Sequence, residues 1–388
     1  MSEYLLQAEW TRRADLAALI AALGPGQARY VGGAVRDTLL DLPVSDIDLA
    51  TPLPPKATMA RLAEAGIRSV PTGIAHGTIT ALLAQGPVEI TTLREDVATD
   101  GRHAVVAFGE DWQADAARRD FTINALYADP ADGRVFDYFD GLADLAIRRV
   151  RFIGNAATRI REDHLRILRY FRFDARFGSQ VIDEASEAAC GSLAPMLKGL
   201  SRERIGMELM KLLALPDPAP TVARMARLGV FAVILPEASY NALPALIQAE
   251  VAAAIGPDPL RRLAALLPPE PQVAEQVAAR LRLSTRERKR LVSAAGYREG
   301  IGDPRALAHN IGHEQALDRL LLSGGDVSAI TAWSPPTFPL KGGAIVARGV
   351  KAGPDVARIL QAVERRWVAE GFPDEHRVAH LLDEVLAS

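Results

Sequence analysis

The stretch that decides the fold is YVGGAVRD at residues 30–37, which runs from a short apolar segment through two glycines into a predicted helix. Without side chains at Gly32 and Gly33, a phosphate can approach the backbone closely, and the start of the helix offers free N–H groups and positive potential. Arg36 is expected in the first turn of this helix. Cations usually prefer the other end of a helix, so this position indicates an anionic ligand.

A pair of aspartates follows in the segment DIDLA at residues 46–50. Side chains two residues apart in a strand share one face, so Asp46 and Asp48 would place two carboxylates side by side. Mg²⁺ would relieve their repulsion, since it usually binds one or two carboxylates together with substrate phosphates. An isolated Asp-x-Asp is more typical of a solvated turn. Together with the glycine turn, however, the pair predicts a site for magnesium and phosphate.

Further segments follow in an order that resembles a known family. They are RRDFTINA at 118–125, EDHLRILR at 162–169, and RERI at 202–205 with Glu208. With the glycine turn and the aspartate pair, they resemble the nucleotidyltransferase superfamily and, within it, the family of class II CCA-adding enzymes and bacterial poly(A) polymerases. The segment at 92–102 is similar to the flexible loop of members that add the terminal A. The likeness covers residues 30–210, about half of the chain.

The resemblance implies the roles of individual residues. Asp46 and Asp48 are expected to be catalytic and to hold two Mg²⁺ ions. Glu89 lies between apolar neighbours on a candidate strand and is a further candidate metal ligand, although a charge that faces solvent on an edge strand would look the same. The segment at 202–208 is expected to brace the helix that selects the base. The expected nucleotide-binding residues come from three of the motifs and are Gly32, Gly33, Arg36, Arg119, Asp120, Asn124, Asp163, Arg166, Arg169 and Arg172.

The chemistry of the motif that begins at residue 162 fits base selection. Asp163, Arg166, Arg169 and Arg172 recur every three residues and are predicted to form a stripe on one helix. An ionised Asp only accepts hydrogen bonds and Arg only donates them, which matches an exocyclic amine beside a ring-nitrogen acceptor. Cytosine and adenine present that pattern, whereas uracil and guanine place a carbonyl where the amine should be. The motif therefore favours C and A without separating them.

Composition narrows the class of protein. The chain has 388 residues, a net charge of −3 and one cysteine, Cys190, which excludes disulfides within the chain and zinc–thiolate sites and favours a cytoplasmic location. No run approaches the roughly 18 apolar residues that a membrane span needs, so no membrane partner is expected. Residues 147–176 hold nine arginines against three acidic residues, which indicates a polyanionic partner at that segment.

The predicted fold class is α+β. A nucleotidyltransferase head with a small mixed or antiparallel sheet occupies 1–146, and an all-helical neck, body and tail follow at 147–210, 211–295 and 296–388. Ser284 with Glu287 predicts a capping box, and Pro354 predicts the start of a long helix. The candidate strands of the head are Ala28–Val31, Ile47–Ala50, Thr78–Leu83, Val88–Leu93 and Val135–Phe139.

These observations predict an enzyme that adds CCA to the 3′ end of tRNA from CTP and ATP and requires no protein partner. A basic helix with Arg286, Arg288, Lys289 and Arg290 is a candidate RNA contact, although a solvated helix face would look the same. Poly(A) polymerase and an A-adding enzyme are the alternatives within the family, and a non-catalytic RNA-binding protein is the remote one. The acidic end of the chain mildly favours CCA addition over poly(A) synthesis.

Overall fold

The computed structural model describes residues 5, 7–99, 104–179, 181–298 and 302–387. The chain divides into two compact units. The first comprises Met1–Glu208 with Ala223–Ile234, and the second comprises Leu209–Val222 with Leu235–Ser388. The finer division that the sequence predicts, into head, neck, body and tail, remains a prediction.

A seven-stranded mixed sheet forms the centre of the first unit, as the sequence predicts. The strand order is β3-β4-β5-β2-β1-β8-β9, in which β2 and β5 are parallel and the other neighbours are antiparallel. Strands β6 and β7 pair separately. The strands are β1 Arg29–Val31, β2 Asp48–Thr51, β3 Ser69–Gly73, β4 Thr78–Leu83, β5 Gly86–Thr92, β6 Arg94–Thr99, β7 Ala104–Phe108, β8 Leu126–Ala128 and β9 Val135–Asp137.

All five predicted strands are present, and their ends agree with the predicted ends to within two residues. The sequence missed β3, β6, β7 and β8. Strand β8 is three residues long and wholly buried, so it lacks the alternation that marks a strand. Strand β3 contains Pro71 and lies at the edge of the sheet, where proline is tolerated.

Helices account for most of the remaining chain, joined in four places by short 3₁₀ turns at Glu9–Arg12, Ile74–His76, Thr122–Asn124 and Ala194–Gly199. From Leu235 onward, the described residues contain helices and no strand. The helices are α1 Ala14–Leu23, α2 Gly33–Leu39, α3 Pro55–Glu64, α4 Trp112–Ala117, α5 Gly141–Ala146, α6 Ala156–Glu162, α7 Arg166–Phe177, α8 Glu184–Leu193, α9 Arg202–Leu213, α10 Ala219–Arg227, α11 Val230–Ile234, α12 Leu243–Ala252, α13 Pro259–Ala265, α14 Pro271–Arg280, α15 Thr285–Ala295, α16 Pro304–Ile311, α17 His313–Ser323, α18 Ser328–Thr331, α19 Gly342–Val346, α20 Pro354–Ala369 and α21 Glu375–Ala387.

The local signals for helix starts are confirmed. Ser284 and Glu287 form both hydrogen bonds of a capping box at the start of α15. Pro354 occupies the first turn of α20, where its missing N–H costs nothing. In the part of the chain that the structure describes, no helix combines the length and apolarity that a membrane crossing requires.

The register of the central strands determines where the site lies. Strand β1 ends at Val31 and runs antiparallel to β2, which begins at Asp48, so the end of one strand lies beside the start of the other. The parallel pairing of β2 with β5 places Glu89 opposite Asp48. The glycine turn after β1, the first residue of β2 and Glu89 of β5 therefore lie side by side on three neighbouring interior strands.

Candidate active site

Acidic side chains are concentrated where β2 begins. Asp48 is partly buried and neighbours Glu89 in the sheet register, while Asp46 is exposed and accepts a hydrogen bond from the Ser45 hydroxyl at 2.8 Å. Burial chiefly, and then the negative charges of Glu89 and Asp46, raise the pKa of Asp48 to about 6 against the opposing charge of Arg119. The site thus holds a carboxylate whose ionised form is disfavoured unless positive charge arrives.

The carboxylates by themselves do not form a complete metal site. Within the described ranges, no three side chains among His, Cys, Asp and Glu group closely enough to hold a metal ion. Glu89 lies on the interior strand β5, between β4 and β2, and not on a sheet edge. Asp48 therefore has two acidic neighbours that act on its charge, Asp46 on its own chain segment and Glu89 on β5.

The glycine turn adopts a backbone that suits close approach. Gly32 has φ +67° and caps the N-terminus of α2, and its N–H donates to the Leu126 carbonyl at 3.1 Å. A Cβ on Gly32 would lie 3.5 Å from Arg119 Nη1, whereas one on Gly33 would meet only the tip of Arg36 at 3.8 Å. Gly32 is thus the glycine that the turn requires, and Arg119 faces it.

Arg36 lies in the first turn of α2, as the sequence predicts, but its side chain is buried. It is the fourth of the seven residues of α2, is 5% exposed, and is held inside the head. Its Nε donates to Asp37 Oδ1 at 2.8 Å, its Nη1 donates to Asn124 Oδ1, and its guanidinium lies 4.0 Å from the centre of the Phe177 ring. Arg36 thus closes the first turn of α2, since its N–H donates to the Gly32 carbonyl at 3.0 Å, but its guanidinium is engaged by protein groups.

The motif at 118–125 joins the glycine helix to the helix that follows the head. Asn124 Nδ2 donates to Asp120 Oδ1 at 3.0 Å, and Arg169 of α7 donates to Asp120 Oδ2 through Nε at 2.8 Å. Burial opposes ionisation of Asp120, but Arg169 and Asn124 keep its pKa below the usual range. A continuous chain of polar contacts therefore runs from Arg36 through Asn124 and Asp120 to Arg169.

The stripe that the sequence predicts on one helix is interrupted at its first residue, Asp163. Asp163 is not on the same helix as the arginines, because α6 ends at Glu162 and α7 begins at Arg166. Asp163 has an extended backbone, and its Oδ1 accepts the Leu165 N–H at 3.1 Å. Aspartate competes for backbone N–H groups in this way at helix ends, which breaks the regular stripe.

The residues near Asp163 are nevertheless tightly ordered. Arg204 Nη2 donates to Asp163 Oδ2 at 2.8 Å. Arg166 Nη1 donates to Glu162 Oε2 at 2.6 Å and to the Arg159 carbonyl at 2.8 Å. These contacts orient an acceptor and a donor at the junction of α6 and α7.

Helix α9 braces this junction from two positions, as the sequence predicts. Besides the Arg204–Asp163 contact, Arg172 Nε of α7 donates to Glu208 Oε2 at 2.6 Å. Arg204 and Glu208 are one helical turn apart on α9. Their partners, Asp163 and Arg172, are nine positions apart in the chain. The brace therefore fixes the loop before α7 and the middle of α7 together.

Two further residues, which the sequence reasoning missed, hold Arg119. Asp115 of α4 is 1% exposed and accepts from Arg119 Nη2 at 3.2 Å, and the Tyr127 hydroxyl accepts from Arg119 Nε at 3.1 Å. The four-residue spacing of Asp115 and Arg119 could have indicated an ion pair. No local signal marks Tyr127, since β8 brings it in through long-range pairing.

The predicted RNA contacts on α15 do not share one face. Arg290 is buried, and its guanidinium pairs with Asp258 at 2.8 Å and with Asp318 at 2.7 Å. Its assignment as an RNA contact is therefore wrong, because these carboxylates of the second unit already neutralise it. Arg286, Arg288 and Lys289 are exposed, although Arg286 and Arg288 face Glu314 and Glu275.

The segment predicted as a loop at 92–102 is partly a strand. Residues Arg94–Thr99 form β6 and pair with β7, so the start of this segment is an antiparallel ribbon. Asp100, Gly101 and Arg102 lie outside the described residues. At the base of the ribbon, the Arg94 N–H donates to Asp115 Oδ1 at 3.4 Å, which ties the ribbon to the same carboxylate that holds Arg119.

Two family models match the chain. The first, described as a poly A polymerase head domain, matches residues 28–151, and the second, described as a probable RNA and SrmB-binding site of polymerase A, matches residues 181–241. The first match spans the central sheet together with the glycine turn, the aspartate pair and the motif at 118–125. The second begins after α7 and includes the bracing helix α9.

Named relatives and solved structures agree with these matches. The CCA tRNA nucleotidyltransferase 1, mitochondrial, of Mus musculus is 36% identical over 365 residues, covering 89% of this chain and 84% of the mouse protein. The Bacillus stearothermophilus CCA-adding enzyme in complex with CTP superposes with a TM-score of 0.70 at 26% identity, covering 95% of this chain and 96% of that chain. The Thermotoga maritima CCA-adding enzyme complexed with tRNA-CCA shares the fold, with a TM-score of 0.73 at 21% identity over 100% and 98% of the two chains.

Proposed function

The chain belongs to the family of CCA tRNA nucleotidyltransferases, and from this premise we propose that it builds C-C-A on the 3′ end of tRNA from CTP and ATP. The observation that carries the proposal is the group of residues at the start of β2 and the end of β1. There the partly buried Asp48, the glycine turn and Arg119 lie together. Carboxylates for a cation beside groups for a phosphate are what nucleotidyl transfer needs. A cytoplasmic location remains a prediction.

Magnesium fits the donor set at the start of β2. Oxygen ligands suit Mg²⁺, and burial with the neighbouring Glu89 makes the negative charge of Asp48 costly until a cation neutralises it. Asp46 and Asp48 would hold the two ions of the family mechanism, with the remaining ligands supplied by triphosphate and water. When bound there, Mg²⁺ supplies activation of the RNA 3′-hydroxyl and neutralisation of the leaving pyrophosphate.

The triphosphate and ribose are assigned to the head motifs. Gly33 provides a backbone N–H group at the start of α2, Gly32 leaves the turn free of a side chain, and Arg119 provides a fixed positive charge beside them. Asp120 and Asn124 are assigned to the ribose, and the polar chain from Arg36 to Arg169 fixes their orientation. Arg36 acts through Asn124 in this scheme, because its buried guanidinium is already engaged.

Base selection is assigned to Asp163 and Arg166, supported by Arg169 and Arg172 on α7. The Asp163 carboxylate accepts from Arg204 and retains lone pairs for an exocyclic amine. The carbonyl of uracil or guanine would meet this acceptor without a proton between them, which leaves a polar group unpaired. One arrangement thus accepts both cytosine and adenine.

A tRNA extension assay tests the function. Purified protein with Mg²⁺ receives three transcripts, one lacking CCA, one ending in C-C and one complete, each with labelled CTP, ATP or both. We expect the first transcript to gain C, C and A and then to stop. Extension of the C-C transcript alone by one A would identify an A-adding enzyme, and long A tails on any RNA would identify a poly(A) polymerase. Binding of tRNA without incorporation would contradict an enzymatic function.

A further inference from the structure

Arg119 is held on two of its three nitrogens by residues that lie outside the motifs. Its Nε donates to the Tyr127 hydroxyl at 3.1 Å, and its Nη2 donates to Asp115 Oδ2 at 3.2 Å. The Tyr127 hydroxyl donates in turn to the same Asp115 oxygen at 2.6 Å. Three side chains therefore close a ring of hydrogen bonds, which permits the guanidinium one orientation.

The protonation states support this ring. Burial opposes ionisation of Asp115, but Arg119 and Arg118 together with the Tyr127 hydroxyl hold its pKa below the usual range. Burial raises the pKa of Tyr127, so its hydroxyl keeps the proton that it donates. A charged acceptor and a neutral donor are the states that the ring requires at neutral pH.

The third nitrogen of Arg119 faces the glycine turn. Nη1 lies 3.5 Å from the place that a Cβ on Gly32 would occupy. It makes no hydrogen bond to any group within the residues that the structure describes, whereas Nε and Nη2 are both engaged. The donor that remains is thus the one directed at the predicted phosphate position.

We propose that Asp115 and Tyr127 are positioning residues that hold Arg119 with Nη1 directed at the triphosphate over the Gly32 turn. This inference rests on the proposed function in one respect, the binding of phosphate by Arg119. A donor oriented in advance loses little freedom when the nucleotide binds, which favours binding. Because the triphosphate is common to both substrates, the two residues affect CTP and ATP equally and do not affect the choice of base.

Kinetics of Tyr127→Phe, Asp115→Asn and Arg119→Ala in the full chain test the proposal. KM and kcat are measured for CTP and for ATP on tRNA transcripts that lack CCA or only the final A. Loss of the hydroxyl in Tyr127→Phe removes buried hydrogen bonds, so we expect KM to rise about fivefold for both nucleotides, with kcat within about twofold. Asp115→Asn keeps the shape but removes the charge, and we expect a rise of about tenfold or more.

A double-mutant cycle separates positioning from general stability. In the Arg119→Ala background, Tyr127→Phe should raise KM no further, because the group that it orients is gone. Asp318→Asn is the matched control. It also removes a buried carboxylate paired with arginine, in the second unit, and we expect it to lower the melting temperature without raising KM for either nucleotide.

The Arg119→Ala variant separates a failure of the phosphate role of Arg119 from a failure of the positioning role of Asp115 and Tyr127. If Arg119→Ala leaves KM unchanged, the phosphate role of Arg119 is wrong, and the positioning proposal fails with it. If Arg119→Ala raises KM while Tyr127→Phe and Asp115→Asn match the wild type, the positioning proposal alone is overturned. Full additivity in the cycle, or a rise confined to one nucleotide, would overturn it as well.

Discussion

At the scale of single residues, Asp48 combines its proposed metal-binding role with a cost in stability. Its pKa is raised to about 6 in the folded protein, above the ordinary value of 3.8. The folded state therefore binds the proton more tightly, and stability falls as pH rises from about 4 to about 6. At pH 7 the wild type carries the whole cost, which a cation at the site would offset.

Replacing this carboxylate should therefore separate activity from stability. We expect Asp48→Asn to abolish nucleotide transfer yet to stabilise the metal-free protein at pH 7 by about 1 kcal/mol, a rise in melting temperature of about 2–4 °C. Asp46→Asn, at an exposed position, is the control and should lose activity without changing the melting temperature. A lower melting temperature for Asp48→Asn than for the wild type would refute the explanation.

The two glycines of the turn should respond differently to the same change. Gly32 has a positive φ, which a residue with a Cβ rarely adopts, so Gly32→Ala introduces backbone strain of about 1–2 kcal/mol. Gly33→Ala meets only ordinary contact with the tip of Arg36 and should keep the wild-type melting temperature. Thermal unfolding of both variants checks this, and equal destabilisation would contradict the assignment of the turn to Gly32.

At the scale of elements, α15 contains one buried arginine among exposed basic residues. Arg290→Ala removes both short hydrogen bonds to the buried Asp318 and leaves it with Arg261 at 3.4 Å, so we expect a loss of about 3 kcal/mol in unfolding free energy. Lys289→Ala removes an exposed charge and should change stability by less than about 0.5 kcal/mol. Chemical denaturation of the two variants measures the difference, and similar losses would show that Arg290 is not the buried member.

Elements with strong local signals were predictable from the sequence, and those that depend on tertiary contacts were not. The capping box at Ser284 and the strand Thr78–Leu83 follow from local pattern and match the structure. Strand β8 forms because its neighbours pair with it, and no alternation marks it. Arg290 looks like a surface residue in a basic run, and only the packing of α15 against Asp258 and α17 reveals its burial.

For the candidate site, too, the sequence predicts residue types at fixed spacings but not the tertiary contacts of their side chains. The motifs identify Asp46, Asp48, Arg119 and Asp163 because those residue types recur at fixed spacings. They do not reveal that Arg36 turns inward or that α6 ends before Asp163. The burial of Arg36 comes from contacts with Asn124 and Phe177, which are distant in sequence, and the position of Asp163 comes from where α6 ends, which is the least certain part of a prediction from sequence.

At the scale of the whole molecule, we propose that protein side chains and no nucleic-acid template select the base. Asp163 is central to this, since it presents only acceptors and is fixed by Leu165 and Arg204. Asn at this position would present a donor as well as an acceptor while keeping the shape. The amide has one oxygen, so it keeps one of the two contacts to Leu165 and Arg204, and it places a donor where the carboxylate had an acceptor.

The most direct test is the nucleotide preference of Asp163→Asn. The kcat/KM values of CTP, ATP, UTP and GTP are measured on tRNA lacking CCA, for the wild type and the variant. We expect the wild type to prefer CTP over UTP by roughly 100-fold or more, because an unpaired acceptor costs a few kcal/mol. In the variant we expect that preference to fall by about tenfold or more, as the amide donates to the uracil carbonyl. An unchanged ratio of CTP to UTP would show that Asp163 does not select the base.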